Sequence, residues 1–484
     1  MLDSRRPLEA LYPYQLVGAE WLAKMPQAFL ADDMGLGKSA QAIHAADIRV
    51  AWDILVICPA AVRVNWQREF EKFSPLSRPC CLLDGSEASL PSNGVAITSY
   101  DLLVAPSASN ALDIFEDAPT DANKARVAST RALARKRKAF LAALKTRAWD
   151  LIIIDECHYL KERTASRTVA IYDGNQGLIA SAAAVWRLSG TPCPNNAGEI
   201  WTHLRSAGYS QAYWDFVYMF CTGFTDDYND FTITGIKNAP QLKAILAKFI
   251  LRRTKEEVLP ELPPLIFEEV VVGRGQVDLS DPIFDDARAG QGPAAFLRAL
   301  LHMEEDLATL PDEELLRVLE RDTPALVTLR RFIAMAKLAS VLDIIEDELE
   351  NGQLEKIVIF GIHQCVVEAA ALRLARFGAV LFYGKTSATL RQKNIDRFQT
   401  DPTCRVFVGN IGAAGVGITL TAASEEAFIE QDWVPANNVQ AAARCHRIGQ
   451  TRAVRARVFS LVGSVDERVQ NTLCRKEREL AKVF

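Results

Sequence analysis

The chain has 484 residues, which is too long for one compact domain and suits two large ones with helical insertions. Its 49% apolar and 24% charged residues are typical of an ordinary globular protein, and 55 basic against 60 acidic side chains give a net charge of −5. This balance argues against strong nonspecific DNA binding by the whole surface, so any nucleic-acid contact must be local. The ten cysteines include no Cys-x-x-Cys pair, which argues against a disulfide framework or a zinc cluster.

The first informative stretch, residues 32–39, combines glycines, a lysine and a hydroxyl in the spacing that cradles a nucleoside triphosphate. The residues that carry this chemistry are Gly35, Gly37, Lys38 and Ser39. The glycines allow a tight turn that presents N–H groups to phosphate oxygens, the lysine reaches the β- and γ-phosphates, and the hydroxyl can ligate Mg²⁺. A helix over 40–46 is predicted to point its positive end at the same anion. We therefore expect ATP and Mg²⁺ as cofactors, although Asp32 replaces the usual first glycine and a plain turn is the alternative.

A basic segment follows, with nine cations and no acid between residues 124 and 147. The alanines and leucines between these charges predict a helix, within an insertion spanning about 104–148. Two readings stay open: a surface that tracks DNA phosphates, and a solvated or flexible insert.

The apolar run at 151–154 predicts a buried parallel strand, and it ends in Asp155-Glu156-Cys157-His158. Buried carboxylates are costly unless they hold a metal or another partner. A strand end that faces a phosphate loop offers Mg²⁺ to Asp155 and an attacking water to Glu156.

Apolar strands predicted at 54–58, 151–154 and 185–188 alternate with helical stretches, which indicates an α/β fold with a parallel sheet covered on both faces. An aromatic-rich helical insertion is predicted at about 200–250; it either packs a small core of its own or stacks bases. An acidic, solvent-facing helical insertion is predicted at about 278–335, and Glu304 lies in it. A second α/β alternation runs over 356–462, followed by a charged helix at 465–484.

Near the end of that second alternation, Gln440, Arg444 and Arg447 fall at i, i+4 and i+7, a spacing that predicts one shared helix face. An arginine that reaches the γ-phosphate from another lobe is worth roughly 10³ to 10⁵ in rate, so its placement can switch hydrolysis on. The alternative is a solvated polar face.

Taken together, the motifs resemble those of the SWI/SNF-type ATPases of helicase superfamily two, in order along nearly the whole chain. The first-half segments are Tyr12-Pro-Tyr-Gln15, the loop at 32–39, 58–66, Ile97-Thr-Ser-Tyr-Asp101, 155–161, Leu188-Ser-Gly-Thr-Pro192, Leu251-Arg-Arg-Thr-Lys255 and Leu262-Pro-Pro264. The second-half segments are Ile357-Val-Ile-Phe360, Tyr383-Gly-Lys385, Gly415-Val-Gly417, Glu430-Gln-Asp-Trp433 and 440–450. His446-Arg-Ile-Gly-Gln450 with 430–433 is most similar to the annealing-helicase branch.

This resemblance implies two RecA-like lobes, 1–257 and 258–484, with ATP bound in the cleft between them. At the nucleotide, it assigns adenine recognition to Gln15, further contacts to Gly415, Gly417 and Gln440, and the arginine finger to Arg444 or Arg447, with Arg447 favoured. It assigns DNA contacts to Arg63, Ser99, Lys385 and Thr419. Coupling between the nucleotide and the DNA is assigned to His158 and Thr191. The expected partner is double-stranded or branched DNA, on which the chain would act as a translocating ATPase.

Three alternatives stay open: a strand-separating helicase, the motor subunit of a restriction system, and an ATP-gated DNA clamp. The N-terminus shows no apolar signal core and no stretch is long enough to span a membrane, so we expect a cytoplasmic, nucleoid-associated or viral-DNA-associated protein, or a nuclear one in a eukaryote.

Overall fold

The structure is a computed structural model. It describes residues 11–105, 121–174, 176–225, 231–279, 281, 284–285, 292–311, 314–315, 318, 323–384, 386–414, 418–432 and 434–468, with the backbone alone at 121–127, 388–389 and 413–414. The chain divides into two compact units, the first ending at Val258 and the second beginning at Leu259.

The first unit is built on a parallel sheet. Its strands are β1 (Gln27–Leu30), β2 (Ile54–Cys58), β3 (Cys80–Leu82), β4 (Val95–Ser99), β5 (Leu151–Asp155), β6 (Val185–Leu188), β7 (Cys221–Thr225), β8 (Phe231–Ile236) and β9 (Ile250–Leu251). Seven of them form a sheet in the order β3-β4-β2-β5-β6-β1-β9, with every pairing parallel. Every residue of β2 and β4 is buried, as expected for strands covered on both faces.

Helices flank this sheet and supply its insertions. They are α1 (Pro13–Lys24), α2 (Lys38–Ile48), α3 (Arg63–Phe73), α4 (Asp121–Thr146), α5 (Ser166–Tyr172), α6 (Ile200–Ser206), α7 (Tyr213–Phe220), α8 (Ala239–Leu246) and α9 (Lys255–Val258). The prediction of a helix in the basic insertion is confirmed by α4.

The aromatic insertion differs from the sequence prediction because it is only partly helical. β7 and β8 pair as an antiparallel hairpin with an irregularity between Thr222 and Gly223. Alternating Phe231-Thr-Ile-Thr favours a strand, since β-branched and aromatic side chains suit a pleated surface. The hairpin packs on α7 around Val217 and Cys221, so the insertion does have a small core of its own.

The second unit is also built on a parallel sheet, in the order β10-β15-β14-β11-β13-β12. Its strands are β10 (Leu265–Val272), β11 (Ile357–Gly361), β12 (Val380–Phe382), β13 (Val406–Asn410), β14 (Glu425–Phe428) and β15 (Val454–Leu461). Along β11, Ile357 and Ile359 belong to one hydrophobic cluster, whereas Val358 and Phe360 belong to another. This alternation places a core on each face of the sheet. The prediction of an α/β fold with two parallel-sheet lobes is therefore confirmed.

The helices of the second unit include those of the acidic insertion. They are α10 (Pro293–Thr309), α11 (Pro324–Glu350), α12 (Gln364–Arg373), α13 (Ala388–Thr400), α14 (Ile411–Ala414) and α15 (Pro435–Ala442). The expectation that the acidic insertion is solvent-facing is wrong for Glu304, which is buried and pairs with Arg274 at 3.1 Å. Glu304 lies on the same face of α10 as the core residues Leu300 and Leu307, which carries it inward.

The predicted terminal helix lies mostly outside the described residues, which end at 468. Within the described part of the chain, none of the helices combines the length and hydropathy needed to cross a bilayer. All nine cysteines described are free thiols.

Candidate active site

The predicted phosphate loop connects β1 to α2, and its two glycines adopt the backbone that such a loop requires. Gly35 and Gly37 have φ of 88° and 72°, in the left-handed region that glycine occupies without strain. Gly37 is also the N-cap of α2 and has no side chain with which to cap the helix. The first-turn N–H groups of α2, which include that of Ser39, are therefore suited to bind an anion.

Lys38 begins α2, and its ammonium group lies against the loop. Nζ donates hydrogen bonds to the carbonyl oxygens of Asp32 at 2.8 Å and Asp33 at 3.2 Å. Burial lowers the pKa of Lys38, and the nearby carboxylates of Glu156 and Asp155 oppose that shift. A partly desolvated cation beside main-chain carbonyls is suited to exchange these contacts for phosphate oxygens.

Asp155 ends β5 as predicted. Trp66 Nε1 donates to its Oδ2 at 2.7 Å, and the N–H of Glu156 donates to its Oδ1 at 3.0 Å. Burial and the neighbouring Glu156 raise the pKa of Asp155 to about 7, although Trp66 and Lys38 oppose the rise. A cation at this carboxylate would relieve the cost of burying two adjacent acids.

Glu156 has φ 50° and ψ 49°, a left-handed conformation that is unfavourable for a residue with a side chain. Its Oε2 lies 3.2 Å from Nδ1 of His158, and the same Nδ1 lies 3.0 Å from Ser189 Oγ. Backbone strain of this kind is characteristic of functional positions.

The end of β6 completes the site. Ser189 Oγ also accepts a hydrogen bond from the N–H of Thr191 at 3.2 Å, so Ser189 joins His158 and Thr191, the two predicted coupling residues. A Cβ atom at Gly190 would lie 3.2 Å from Lys38 Nζ. The phosphate loop, the β5 end and the β6 end therefore meet at the same edge of the sheet.

Gln15, the predicted adenine reader, lies against the same loop. Its Nε2 donates to the carbonyl oxygen of Leu36 at 3.1 Å, and its Oε1 accepts from the N–H of Tyr12 at 2.9 Å. A Cβ at Gly37 would lie 2.3 Å from Gln15 Nε2. The side chain is thus beside the loop, while its role in reading adenine stays a prediction.

Arg252 and Arg253, which had no role predicted from the sequence, pair with acids of the phosphate loop. Asp32 is fully buried; it accepts from Arg253 Nε at 3.0 Å and from Gln41 Nε2 at 3.0 Å. Arg252 Nη2 lies 3.3 Å from Asp33 Oδ1. A signal was available, because an acid at the position of the usual first glycine needs a cationic partner if it is buried.

The residues predicted to contact DNA are only partly brought together. Arg63 and Ser99 lie just beyond and at the carboxyl ends of the neighbouring strands β2 and β4, and Ser99 is buried. Thr419 is half-buried in the second unit, and Lys385 lies outside the described residues.

The prediction that Gln440, Arg444 and Arg447 share a helix face is wrong. α15 ends at Ala442, and both arginines lie on the turns that follow. Both arginines form hydrogen bonds with the neighbouring loop instead of continuing the helix. The carbonyl of Arg444 accepts from the N–H of Leu420 at 2.9 Å, and Arg447 Nη1 donates to the carbonyl of Ile418 at 2.8 Å. The predicted nucleotide contacts Gly415 and Gly417 lie outside the described residues.

The residues at this site fit Mg²⁺ bound together with a nucleotide. Among the described residues, no cluster of three or more His, Cys, Asp or Glu side chains is arranged to hold a metal by itself. Asp155 and the Ser39 hydroxyl supply hard oxygen ligands, and Mg²⁺ commonly takes its remaining ligands from phosphate and water.

Comparison with known proteins gives two family matches. Residues 14–273 match the SNF2-related domain, and residues 336–449 match the helicase conserved C-terminal domain.

Several curated proteins are similar to the chain. The Caenorhabditis elegans protein "SWI/SNF-related matrix-associated actin-dependent regulator of chromatin subfamily A-like protein 1 homolog" is 31% identical, covering 98% of this chain and 62% of its own length. The Mus musculus "DNA annealing helicase and endonuclease ZRANB3" is 27% identical, covering 96% of this chain and 40% of its own length. The chain therefore spans less than two thirds of these relatives.

Among solved structures, the chain is similar to the "Sulfolobus solfataricus SWI2/SNF2 ATPase core in complex with dsDNA", with 23% identity, a TM-score of 0.40 and coverage of 97% of this chain and 92% of that one. The SNF2-related match spans more than half of the 484 residues, and the curated relatives include DNA annealing helicases, as the motifs predicted. The chain belongs to the SNF2-related, SWI/SNF-type family of helicase-like proteins.

Proposed function

We propose that this chain is a Mg²⁺- and DNA-dependent ATPase that translocates on double-stranded DNA and remodels protein–DNA complexes or branched and unpaired DNA. The observation that carries the proposal is the convergence of Lys38, Asp155 with Glu156, and Ser189 with Thr191 at one sheet edge. Membership of the SNF2-related family and the names of the annealing-helicase relatives support it.

Each group at that edge has a proposed task. Lys38 and the α2 N-terminus bind the phosphates, Asp155 and Ser39 hold the metal, and Glu156 orients the attacking water under restraint from His158. Mg²⁺, when bound, supplies positive charge to the phosphate oxygens. Gln15 is proposed to read the adenine edge through its amide.

The second unit is proposed to contribute to the same reaction. The residues concerned are Gly415, Gly417, Gln440, Arg444 and Arg447, with Arg447 as the favoured finger. Loss of a finger arginine costs roughly 10³ to 10⁵ in rate, so replacing Arg444 and Arg447 one at a time identifies the one that acts.

The DNA track is proposed to run along duplex phosphates at Arg63, Ser99, Lys385 and Thr419. Phosphate contacts position a protein without reading sequence, so the enzyme would move along any duplex. The direct test is ATP hydrolysis measured at one stated salt concentration with no nucleic acid, single-stranded DNA, duplex, forked DNA and RNA. Duplex or branched DNA should raise the rate well above single strands and RNA.

A second assay separates the proposal from its alternatives. A translocase that holds an intact duplex should displace a third strand or rewind a bubble, yet leave a tailed duplex paired, because unstacking costs about 1.4 kcal/mol per step. Efficient ATP-dependent separation of the tailed duplex would identify a conventional helicase instead. ATP turnover without any movement along the duplex would identify a clamp.

A further inference from the structure

A cavity of 390 Å³ opens beside the basic helix α4, in the first unit. Its polar and aromatic lining comprises Tyr100, Asp101, Arg137, Ser166 and Arg167. This volume lies at the lower end of the range of small-ligand sites, large enough for a phosphate with part of its sugar.

Arg137 differs from the three cations next to it on α4 because it lies on the buried side of the helix. It shares a helix face with the buried residues Phe140 and Leu144, whereas Arg135, Lys136 and Lys138 are exposed. Its Nη1 donates to the carbonyl of Val104 at 3.0 Å, which fixes the guanidinium at the cavity wall. Its Nε is buried and has no hydrogen-bond partner among the described residues.

The lining residues Arg167 and Tyr100 are connected through the ring of Tyr159. The guanidinium of Arg167 lies over the ring of Tyr159 at 5.8 Å, and that ring stacks on Tyr100 at 5.3 Å with 9° between the planes. Among the described residues of the lining, two arginines against the one carboxylate of Asp101 leave one net positive charge. That charge matches one backbone phosphodiester.

The stacked rings of Tyr100 and Tyr159 are connected to the candidate active site. The buried hydroxyl of Tyr100 donates to the main-chain carbonyl of Asp155 at 2.6 Å. Tyr159 belongs to the 3₁₀ turn Cys157–Leu160 that directly follows the strained Glu156. A ligand that shifts either ring therefore acts on the backbone that carries both carboxylates.

We propose that this cavity binds a backbone phosphate of duplex DNA through Arg137 and Arg167, and that Tyr100 transmits its occupancy to Asp155 and so makes hydrolysis depend on DNA. The inference rests on the proposed function and deepens it, because it places a DNA sensor within the first unit. Tyr100 is a positioning residue in this scheme.

Duplex affinity and its salt dependence test the phosphate site. The R137Q/R167Q double variant should bind a short duplex at least about tenfold more weakly and lose about 0.9 from the slope of log affinity against log salt, the value for one phosphate contact. D101N should bind several-fold more tightly, a gain that misfolding cannot produce. R163Q removes a neighbouring exposed arginine that stacks on Tyr213, so it should stay within twofold of wild type.

Either of two results overturns the phosphate site: an unchanged salt slope in R137Q/R167Q, or weaker binding by D101N. A slope that falls only when Arg135, Lys136 and Lys138 are neutralised together would move the contact to the outer face of α4 and also overturn it. Inorganic pyrophosphate, added as a competitor, should raise the half-saturating duplex concentration of wild type but not of R137Q/R167Q.

The coupling step is tested with Y100F, which removes only the hydroxyl. Its maximal DNA-stimulated turnover should fall by about 5- to 150-fold, the usual span of a coupling between sites, while the half-saturating duplex concentration and the KM for ATP stay within twofold. Y172F is the matched control, since it also removes a buried hydroxyl, one that contacts His203 at 3.2 Å.

Equal DNA stimulation in Y100F and wild type would overturn the coupling. An absence of stimulation by any DNA in wild type would instead overturn the proposed function itself, so the two failures are distinguishable.

Discussion

The two units use the polar side chains of their motifs in different ways. In the first, Lys38, Asp155 and Glu156 converge at one sheet edge, where burial lowers the pKa of Lys38 and raises that of Asp155. In the second, Gln450 Nε2 donates to three main-chain carbonyls, those of Thr421 at 3.3 Å, Ala423 at 2.8 Å and Cys445 at 3.2 Å.

The rest of the second-unit motif follows the same pattern. His446 Nε2 donates to the carbonyl of Pro263 at 2.7 Å, and Arg447 donates to that of Ile418. Hydrogen bonds to main-chain carbonyls fix loop shape, whereas adjacent buried carboxylates store electrostatic cost that a ligand can relieve. Substitution of Lys38 or Glu156 should therefore lower ATP turnover, whereas substitution of Gln450 or His446 should lower stability.

The largest expected effect is on chemistry in the first unit. Lys38→Ala and Glu156→Gln should each lower ATP turnover by at least about 10³-fold, because these groups stabilise transferring phosphate and attacking water. Duplex affinity should stay within several-fold. The free energy of unfolding should change little, because removing the desolvated charge of Lys38 offsets the loss of its hydrogen bonds to the carbonyls of Asp32 and Asp33. Steady-state ATPase, duplex binding and urea unfolding measure the three quantities, with the exposed Lys24→Ala as control. A near-normal ATPase rate in either variant would remove this site from the proposal.

The next largest effect concerns Arg253, which pairs with Asp32 of the phosphate loop. Arg253→Gln should cost about 3 to 5 kcal/mol of unfolding free energy, because Asp32 stays fully buried without its cation. The double variant D32N/R253Q should recover part of that loss, and a urea double-mutant cycle gives the coupling. Additive losses would mean that Asp32 does not depend on Arg253.

In the second unit, Gln450→Ala should cost about 2 to 3 kcal/mol of unfolding free energy, because it leaves carbonyls near a buried turn without a donor. The exposed Gln392→Ala, which loses one contact to Asp396, is the matched control and should cost less than about 0.5 kcal/mol. If Gln450→Ala instead lowers turnover at unchanged stability, the contrast between the units fails.

Acid should reveal a buried group of the first unit that serves structure and not chemistry. Burial, followed by the nearby Arg187, lowers the pKa of His203 to about 3, and its ring contacts Tyr172 and Phe29. Between that value and the unfolded pKa near 6.5 only the unfolded chain binds the proton, so stability falls as pH falls, by about 1.4 kcal/mol per unit. Urea unfolding of wild type and H203Q should be measured at pH 7.5 and 5.5. The free energy of unfolding of wild type should exceed that of H203Q by less at pH 5.5 than at pH 7.5. The exposed His302→Gln should leave that pH dependence unchanged.

The features that were predictable from sequence are local ones. The phosphate loop and the Asp155-Glu156 strand end depend on residue types at short spacings, and the parallel strands depend on continuous apolar runs. Arg253 could not be assigned to Asp32 in this way, because 221 positions separate them.

The errors arose where tertiary contacts override a local pattern. The spacing of Gln440, Arg444 and Arg447 is helical, yet contacts with the 418–423 loop end α15 at Ala442. The local sequence predicts a surface position for Glu304, but the residue is buried and pairs with Arg274, which lies 30 positions away.

The smallest expected effect compares two strained positions of the first unit. Val50 has φ 54°, as unfavourable as the φ 50° of Glu156, but its side chain is 73% exposed and lies at the end of α2. Left-handed backbone costs a β-branched residue about 1 to 2 kcal/mol, and the greater freedom of an unfolded glycine offsets part of this. Val50→Gly should therefore raise the free energy of unfolding by about 1 kcal/mol with ATP turnover unchanged, whereas Val50→Ala keeps most of the strain. Glu156→Gly relieves the same strain, so it should also stabilise the protein while abolishing turnover. Equal stability of Val50→Gly and Val50→Ala would show that the positive φ at Val50 carries no strain. Val50 would then no longer serve as the comparison, outside the active site, for the strain at Glu156.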